Sequence, residues 1–218
     1  MAKVFVICGH GAGDPGACAG GQNEAALVRK LADRMKALGG SEVQVADTSR
    51  NWYADNGIGK GHCPKGVPVI ELHMDSAGAS ARGGHVIIKQ GFSADAIDTA
   101  LADFIAAFFP GRSSKIVHRS DLANVNRAAS MVVNYRLLEC GFISNDADRK
   151  KFIDQMDDLA RGILKTFGIT ATAPQKPTEP SGTGLYRVQL GAFSIKSNAE
   201  KFAAELRSKG YKPFITRY

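Results

Sequence analysis

The spacing of apolar residues between positions 3 and 169 changes several times, and each change marks an element. Lys3 to Cys8 is a β-branched and aromatic run that enters Gly9-His10-Gly11-Ala12-Gly13-Asp14-Pro15-Gly16, which predicts a buried strand ending in a wide turn. Ala26, Leu27, Leu31, Met35 and Leu38 recur at helical spacing from Asn23 to Leu38, and Gly39-Gly40 stops the run. The same reading predicts strands at 42–46, 67–73, 84–89, 115–118 and 132–140, an amphipathic helix at 94–109 and one long helix at 146–167. Arg50 to Pro68 carries Gly, Asn, Lys and Pro without a period and reads as a long surface loop. Strands alternating with helices imply an α/β fold, a mostly parallel twisted sheet flanked by helices.

The composition then shifts. Thr170 to Gly184 holds three prolines in a polar run with almost nothing to bury, which predicts an extended linker. Beyond it, Tyr186 to Leu190, Ser197 to Lys209 and Lys212 to Thr216 read as strand, helix and strand, with Gly210 placed to end the helix. The expected organisation is a large domain over 1–169, a linker over 170–184 and a small βαβ module over 185–218.

A length of 218 residues suits one α/β core plus such an appendage, and a formal charge of +7 favours a polyanionic neighbour such as nucleic acid, anionic lipid or a wall polymer. From Leu185 onward seven basic residues face two acidic ones, so most of the excess lies in the tail. No apolar run approaches the roughly 18 to 20 residues of a membrane span, and Val4 to Cys8 is too short for the apolar part of a signal peptide. The expectation is synthesis in the cytoplasm without a signal peptide. Cys8, Cys18, Cys63 and Cys140 form no Cys-x-x-Cys pair and read as reduced thiols.

Candidate chemistry concentrates at strand ends. His10 and His73, two of five histidines, each sit where a predicted core strand meets a loop; Glu24 opens the first helix and Glu139 ends a strand. Two imidazoles and a carboxylate are the donors of a hydrolytic zinc site with an open position, leaving a second carboxylate to move a proton. The spacing contains no short zinc signature, so a helix-opening glutamate favoured by the macrodipole and histidines that merely finish strands are the competing reading. A cysteine nucleophile is the rival chemistry, with Cys8 and Cys140 flanking the candidates, although both read better as buried small hydrophobes. His62-Cys63 reads as a loop face, and His85 and His118 as ordinary sheet-edge or surface residues. Asp14 is expected to shape the glycine loop through local hydrogen bonds. The loop is not a dinucleotide fingerprint, because Asp47 is too distant to serve as its ribose-binding acid.

Gly9-His10-Gly11-Ala12-Gly13-Asp14-Pro15-Gly16-Ala17, Glu24, Leu72-His73-Met74-Asp75-Ser76-Ala77 and Leu138-Glu139-Cys140-Gly141-Phe142-Ile143-Ser144-Asn145, in that order, resemble the successive motifs of the type 3 zinc-dependent N-acetylmuramoyl-L-alanine amidases over about residues 3–168. The resemblance implies Zn2+ held by His10, Glu24 and His73, Glu139 as catalytic acid/base, and hydrolysis of the amide between N-acetylmuramic acid and L-alanine. It also implies peptidoglycan rather than nucleic acid as the polyanionic partner. Ala12, Asp75 and Glu71 depart from the family pattern. Glu71, on the same strand face as His73, is either a support for that histidine or a competing ligand. Residues 49–68 lack the arginine-rich helix of many relatives, which implies a more open or differently lined groove. Tyr186 to Ser194, with Asn198-Ala199-Glu200 and Leu206, resembles the opening half of a sporulation-related repeat (SPOR) domain, a wall-glycan binder. Together these imply a wall hydrolase deployed as a phage or prophage endolysin, with a bacterial autolysin or a non-catalytic wall-binding protein as alternatives. Half a repeat domain also implies homodimerisation through the tail, two edge strands joining into one sheet.

Overall fold

A computed structural model describes residues 1–172, 191 and 195–215. The chain divides into two compact units, Met1–Gln175 and Lys176–Tyr218. In chain order the first unit comprises β1 (Val4–Cys8), a hairpin of β2 (Cys18–Ala19) and β3 (Gln22–Asn23), α1 (Glu24–Gly39), β4 (Val43–Val45), β5 (Val69–Asp75), β6 (His85–Lys89), α2 (Ala96–Phe108), β7 (Ile116–Arg119), α3 (Ala123–Ser130), β8 (Tyr135–Phe142), α4 (Asp146–Asp154) and α5 (Met156–Thr166). Helix α6 (Lys196–Ser208) belongs to the second unit.

The sheet has the order β4-β1-β5-β8-β6-β7 and is parallel throughout except where β6 runs antiparallel to β8. Alternation along each strand sorts the side chains into two faces. Val4, Val6, Cys8, Ile70, Leu72, Met74, Leu138 and Cys140 join one core with residues of α1, α2 and α5. Phe5, Ile7 and Val69 on the opposite face pack with Trp52, Ile58 and Ala128, and beside them Ile87 and Leu137 meet Val125. That second face carries the chemistry described below.

Three expectations are corrected and one element is added. Residues 50–68 are not merely a surface loop, because Trp52 (5% exposed) and Ile58 (0%) plug the second face. Helix α3 was not predicted: its segment offers only Val125 and Ala128 as strongly buried apolar residues, too few to show a helical period. The long helix at 146–167 is interrupted at Gln155, so that α4 packs on β8 while α5 packs on α1 and α2. The last core strand starts at Tyr135, since Val132 has φ 53° and is 92% exposed.

In the second unit the helix expected at 197–209 is present, with Ala199, Phe202, Ala203 and Leu206 on its less exposed side. Residues 211–215 form no strand, so the strand expected at 212–216 is absent among the described residues. The strand expected at 186–190 and most of the 170–184 linker lie outside the described residues.

Candidate metal centre

Parallel pairing places the C-terminal ends of β1, β5 and β8 on one edge, with Cys8 opposite Leu72 and His73 opposite Glu139. His10 lies two residues beyond β1 in a left-handed conformation (φ 59°). The β2–β3 hairpin returns the chain so that Glu24 opens α1, its backbone N–H donating to the Ala17 carbonyl at 2.9 Å, and Asn23 caps the helix by accepting from Ala26 N. Gly16 is required where the loop crosses the cluster. A Cβ there would lie 2.7 Å from His10 Cδ2 and 2.8 Å from Glu24 Oε2, and its φ is +65°.

His10, Glu24 and His73 each offer one ligand atom, all within 4.8 Å of one another. Glu24, 3% exposed, reaches His10 Nε2 with Oε2 at 3.1 Å and His73 Nδ1 with Oε1 at 2.8 Å. The outward nitrogen of each ring meets another carboxylate: His10 Nδ1 lies 2.8 Å from Asp14 Oδ2, and His73 Nε2 lies 3.2 Å from Glu71 Oε1. Glu71 is itself held by Asn124 Nδ2, 3.0 Å from both oxygens, and by the Tyr135 hydroxyl at 2.5 Å. Glu71 therefore bonds the far side of His73 and stands outside the three-residue cluster. Asp14 does shape the loop, accepting from Gly16 N at 2.9 Å, and also anchors His10.

Electrostatics follow from this packing. Burial raises the Glu24 carboxyl pKa, but the hydrogen bonds to His10 and His73 outweigh it and hold the group well below the usual carboxylate range. The His10 imidazole is raised chiefly by its hydrogen bond to Glu24. Burial pulls His73 down, yet Glu24 and Glu71 hold it well above its ordinary value. The pocket is thus built to hold positive charge. Two imidazole nitrogens converging on an ionised carboxylate, each ring anchored behind by a second carboxylate, are the donor set and support that suit zinc.

Glu139 sits beside His73 in register, and burial pushes its carboxyl up to about 8. Its Oε2 is buried with no hydrogen-bond partner, as is Nδ1 of His85, the residue opposite it on β6. His85 is not the ordinary edge or surface residue the sequence predicted. It is 2% exposed, its Nε2 lies 3.2 Å from Arg112 Nη2, and burial with Arg112 and Arg119 lowers it to about 4. Because Arg112 can only donate, the proton of this neutral ring sits on Nδ1. His118 is exposed.

The cysteines do not enter the chemistry. Cys8 and Cys140 belong to the core on the opposite sheet face, and burial pushes Cys8 up to about 12 and Cys140 well above its usual value. His62 stacks edge-on against Trp52, and Cys63 is raised to about 11 by burial. Neither joins a metal-binding group among the described residues.

Comparison with known proteins agrees with this geometry. The family model of N-acetylmuramoyl-L-alanine amidases of type 3 matches residues 4–168, and that of the SPOR domain matches residues 143–217. The probable autolysin PH of Staphylococcus aureus is 36% identical over 88% of this chain, which spans only 48% of that protein's length. The sporulation-specific N-acetylmuramoyl-L-alanine amidase of Bacillus subtilis is 26% identical over 99% of the chain and 84% of its own length. Among solved structures, the catalytic domain of CwlV from Bacillus (Paenibacillus) polymyxa matches with a TM-score of 0.61 at 18% identity, over 75% of this chain and 95% of that one. An N-acetylmuramoyl-L-alanine amidase from Clostridium difficile 630 matches with a TM-score of 0.58 at 20% identity, over 76% and 94%. With the ordered motifs, the sheet and the histidine–glutamate–histidine cluster in agreement, the chain belongs to the N-acetylmuramoyl-L-alanine amidase family.

Proposed function

We propose that the chain hydrolyses the amide between N-acetylmuramic acid and the L-alanine of the stem peptide in peptidoglycan, with zinc held by His10, Glu24 and His73 and with Glu139 as acid/base. The observation that carries this reading is the convergence of the three ligand atoms beside a buried, otherwise unpartnered carboxylate oxygen. When bound, zinc supplies Lewis-acid activation of water and of the scissile carbonyl. Asp14 and Glu71 hold the two rings so that His10 Nε2 and His73 Nδ1 converge on Glu24, where they would hold the ion. Glu139 takes the proton of the attacking water and delivers it to the departing amine, roles that its buried carboxylate beside the three ligands can serve.

Digestion of purified wall tests this reading. The expected result is new free L-alanine amino groups with glycan strands intact, abolished by a chelator and restored by zinc. New reducing sugar ends without new amino groups would overturn it in favour of a glycosidase.

The organisation that goes with this activity is a catalytic domain at 1–169, a linker at 170–184 and a wall-binding, self-associating module at 185–218. The basic tail and the SPOR match support it. A fragment of about residues 1–170 should keep activity on soluble muropeptides, bind intact wall less tightly with a shallower salt dependence, and scatter light as a monomer where the full chain scatters as a dimer. Equal wall affinity with and without the tail, and a monomeric full chain, would remove both roles. For deployment we propose an endolysin that meets the wall after membrane opening. The similarity to the Staphylococcus aureus protein supports an autolysin as the second reading. Lysis on expression within cells only when the membrane is also opened, against lysis without that opening, separates the two.

A further inference from the structure

Beyond the metal cluster, the same sheet face carries a second polar site. A β-bulge shifts the β5–β8 register between His73 and Asp75, so that Asp75 pairs with Phe142. Bulges next to active sites re-aim side chains, and here Phe142 is brought under the Arg112 guanidinium, 5.6 Å from its ring centre. Phe142 and Arg112 line a cavity of about 500 Å³ together with Arg82, Ser80, Ser113, Ser114 and Val117. Its position follows from pairing. His85 is directly opposite Glu139, Arg112 touches His85, and neighbouring strands are about 4.8 Å apart, so the cavity opens one strand beyond the acid/base.

The two arginines are placed by packed backbone. Gly84 N donates to the Phe109 carbonyl at 2.8 Å, Arg82 Nε to the Pro110 carbonyl at 3.0 Å, and Gly83 N to buried Asp148 Oδ2 at 2.7 Å. A Cβ on Gly111 would lie 2.8 Å from the Arg82 carbonyl oxygen, so the two segments approach as closely as glycine allows. Their charge is largely unspent. Arg82 makes no ion pair among the described residues, and the carboxylate nearest Arg112 is Asp75 at 3.8 Å, beyond hydrogen-bond length. Arg119, by contrast, is already satisfied by a two-pronged pair with Asp121 at 2.7 and 2.6 Å.

Two guanidiniums and three serines around one cavity match an anionic, planar acceptor. We propose that this cavity is a specificity subsite for the free α-carboxylate of the second stem-peptide residue, a glutamate joined through its side-chain carboxyl. The proposal rests on the amidase reading. With the departing amine beside Glu139, the carboxylate two residues along the peptide can lie up to about 7 Å away, more than the roughly 4.8 Å strand spacing between β8 and β6. Walls in which this carboxylate is an amide offer the natural contrast.

The experiment compares two soluble muropeptides that differ only in carboxylate or carboxamide at that position. The unmodified protein should favour the carboxylate by about ten-fold or more in kcat/KM, the scale of a charge-assisted hydrogen bond. Arg82→Gln should bring the ratio to within about two-fold, and Arg82→Lys should leave an intermediate ratio because the fork is lost and the charge kept. Arg82 is the cleaner position, since Arg112 also donates to buried His85. Equal rates on both peptides with the unmodified protein would overturn the subsite. So would Arg82→Gln slowing both equally. Hydrolysis of neither peptide would instead overturn the amidase reading.

Discussion

His73→Ala is expected to lose bound zinc and wall hydrolysis together. His73 is the ring gripped from both sides, by Glu24 at 2.8 Å and Glu71 at 3.2 Å, so removing it takes one donor and leaves two buried carboxylates facing each other across a void. The lost affinity should exceed the roughly 10- to 100-fold that supporting partners of a metal ligand contribute. Glu71→Gln supplies that smaller step, because the ligand set stays intact while the anchor behind His73 weakens. Competition with a chromophoric chelator measures both. The ligand assignment fails if purified His73→Ala retains stoichiometric zinc, and the anchoring role of Glu71 fails if Glu71→Gln binds zinc as tightly as the unmodified chain.

The order of these effects follows which parts of the site are legible in the sequence. Strand ends of a parallel sheet lie on one edge, so His10 and His73 could be brought together from the positions of two apolar runs alone, and Glu24 from its place at the start of a periodic helix. Their ordered motifs carried the resemblance. The supports were harder to see. Glu71 was visible as a neighbour of His73 on one strand face, but its partners Asn124 and Tyr135 come from α3, which has no usable period, and from β8, and no local spacing links them. Asp14 announced a turn and not its contact with His10, which depends on a left-handed histidine that few non-glycine residues adopt.

His85 misled for a different reason. A histidine opening a short strand normally faces solvent, and only the antiparallel entry of β6 into an otherwise parallel sheet sets it against Glu139. The same exception puts Arg112 within reach of the reaction face. The break at Gln155 and the burial of Trp52 and Ile58 are likewise tertiary outcomes: each segment has a pattern compatible with the simpler reading, and packing against particular neighbours decides otherwise. Arg136 belongs with them. It is fully buried on β8 and is held by Asp98 at 2.8 Å and Asp95 at 3.0 Å, a pairing between residues far apart in sequence that no periodicity announces.

Glu139→Gln is expected to keep zinc and lose about 100-fold or more in kcat, the scale that general acid–base catalysis contributes. The change preserves shape and removes the ionisable proton, and Glu139 lies outside the three ligand atoms, so metal content should be unaltered. Stability supplies a second readout that does not depend on catalysis. The folded metal-free protein binds the Glu139 proton up to about 8, whereas an exposed glutamate releases it near 4.5. The unfolded chain therefore holds fewer protons between those values, and this group's contribution to stability falls as pH rises through that window. Metal-free Glu139→Gln has no carboxyl to ionise there and should gain on the parent between pH 5 and pH 8 in thermal unfolding, with the two converging below about pH 4.5. Parallel unfolding profiles would show that Glu139 is already ionised in the folded metal-free protein. An unchanged kcat would move the proton transfer to another group on the same face.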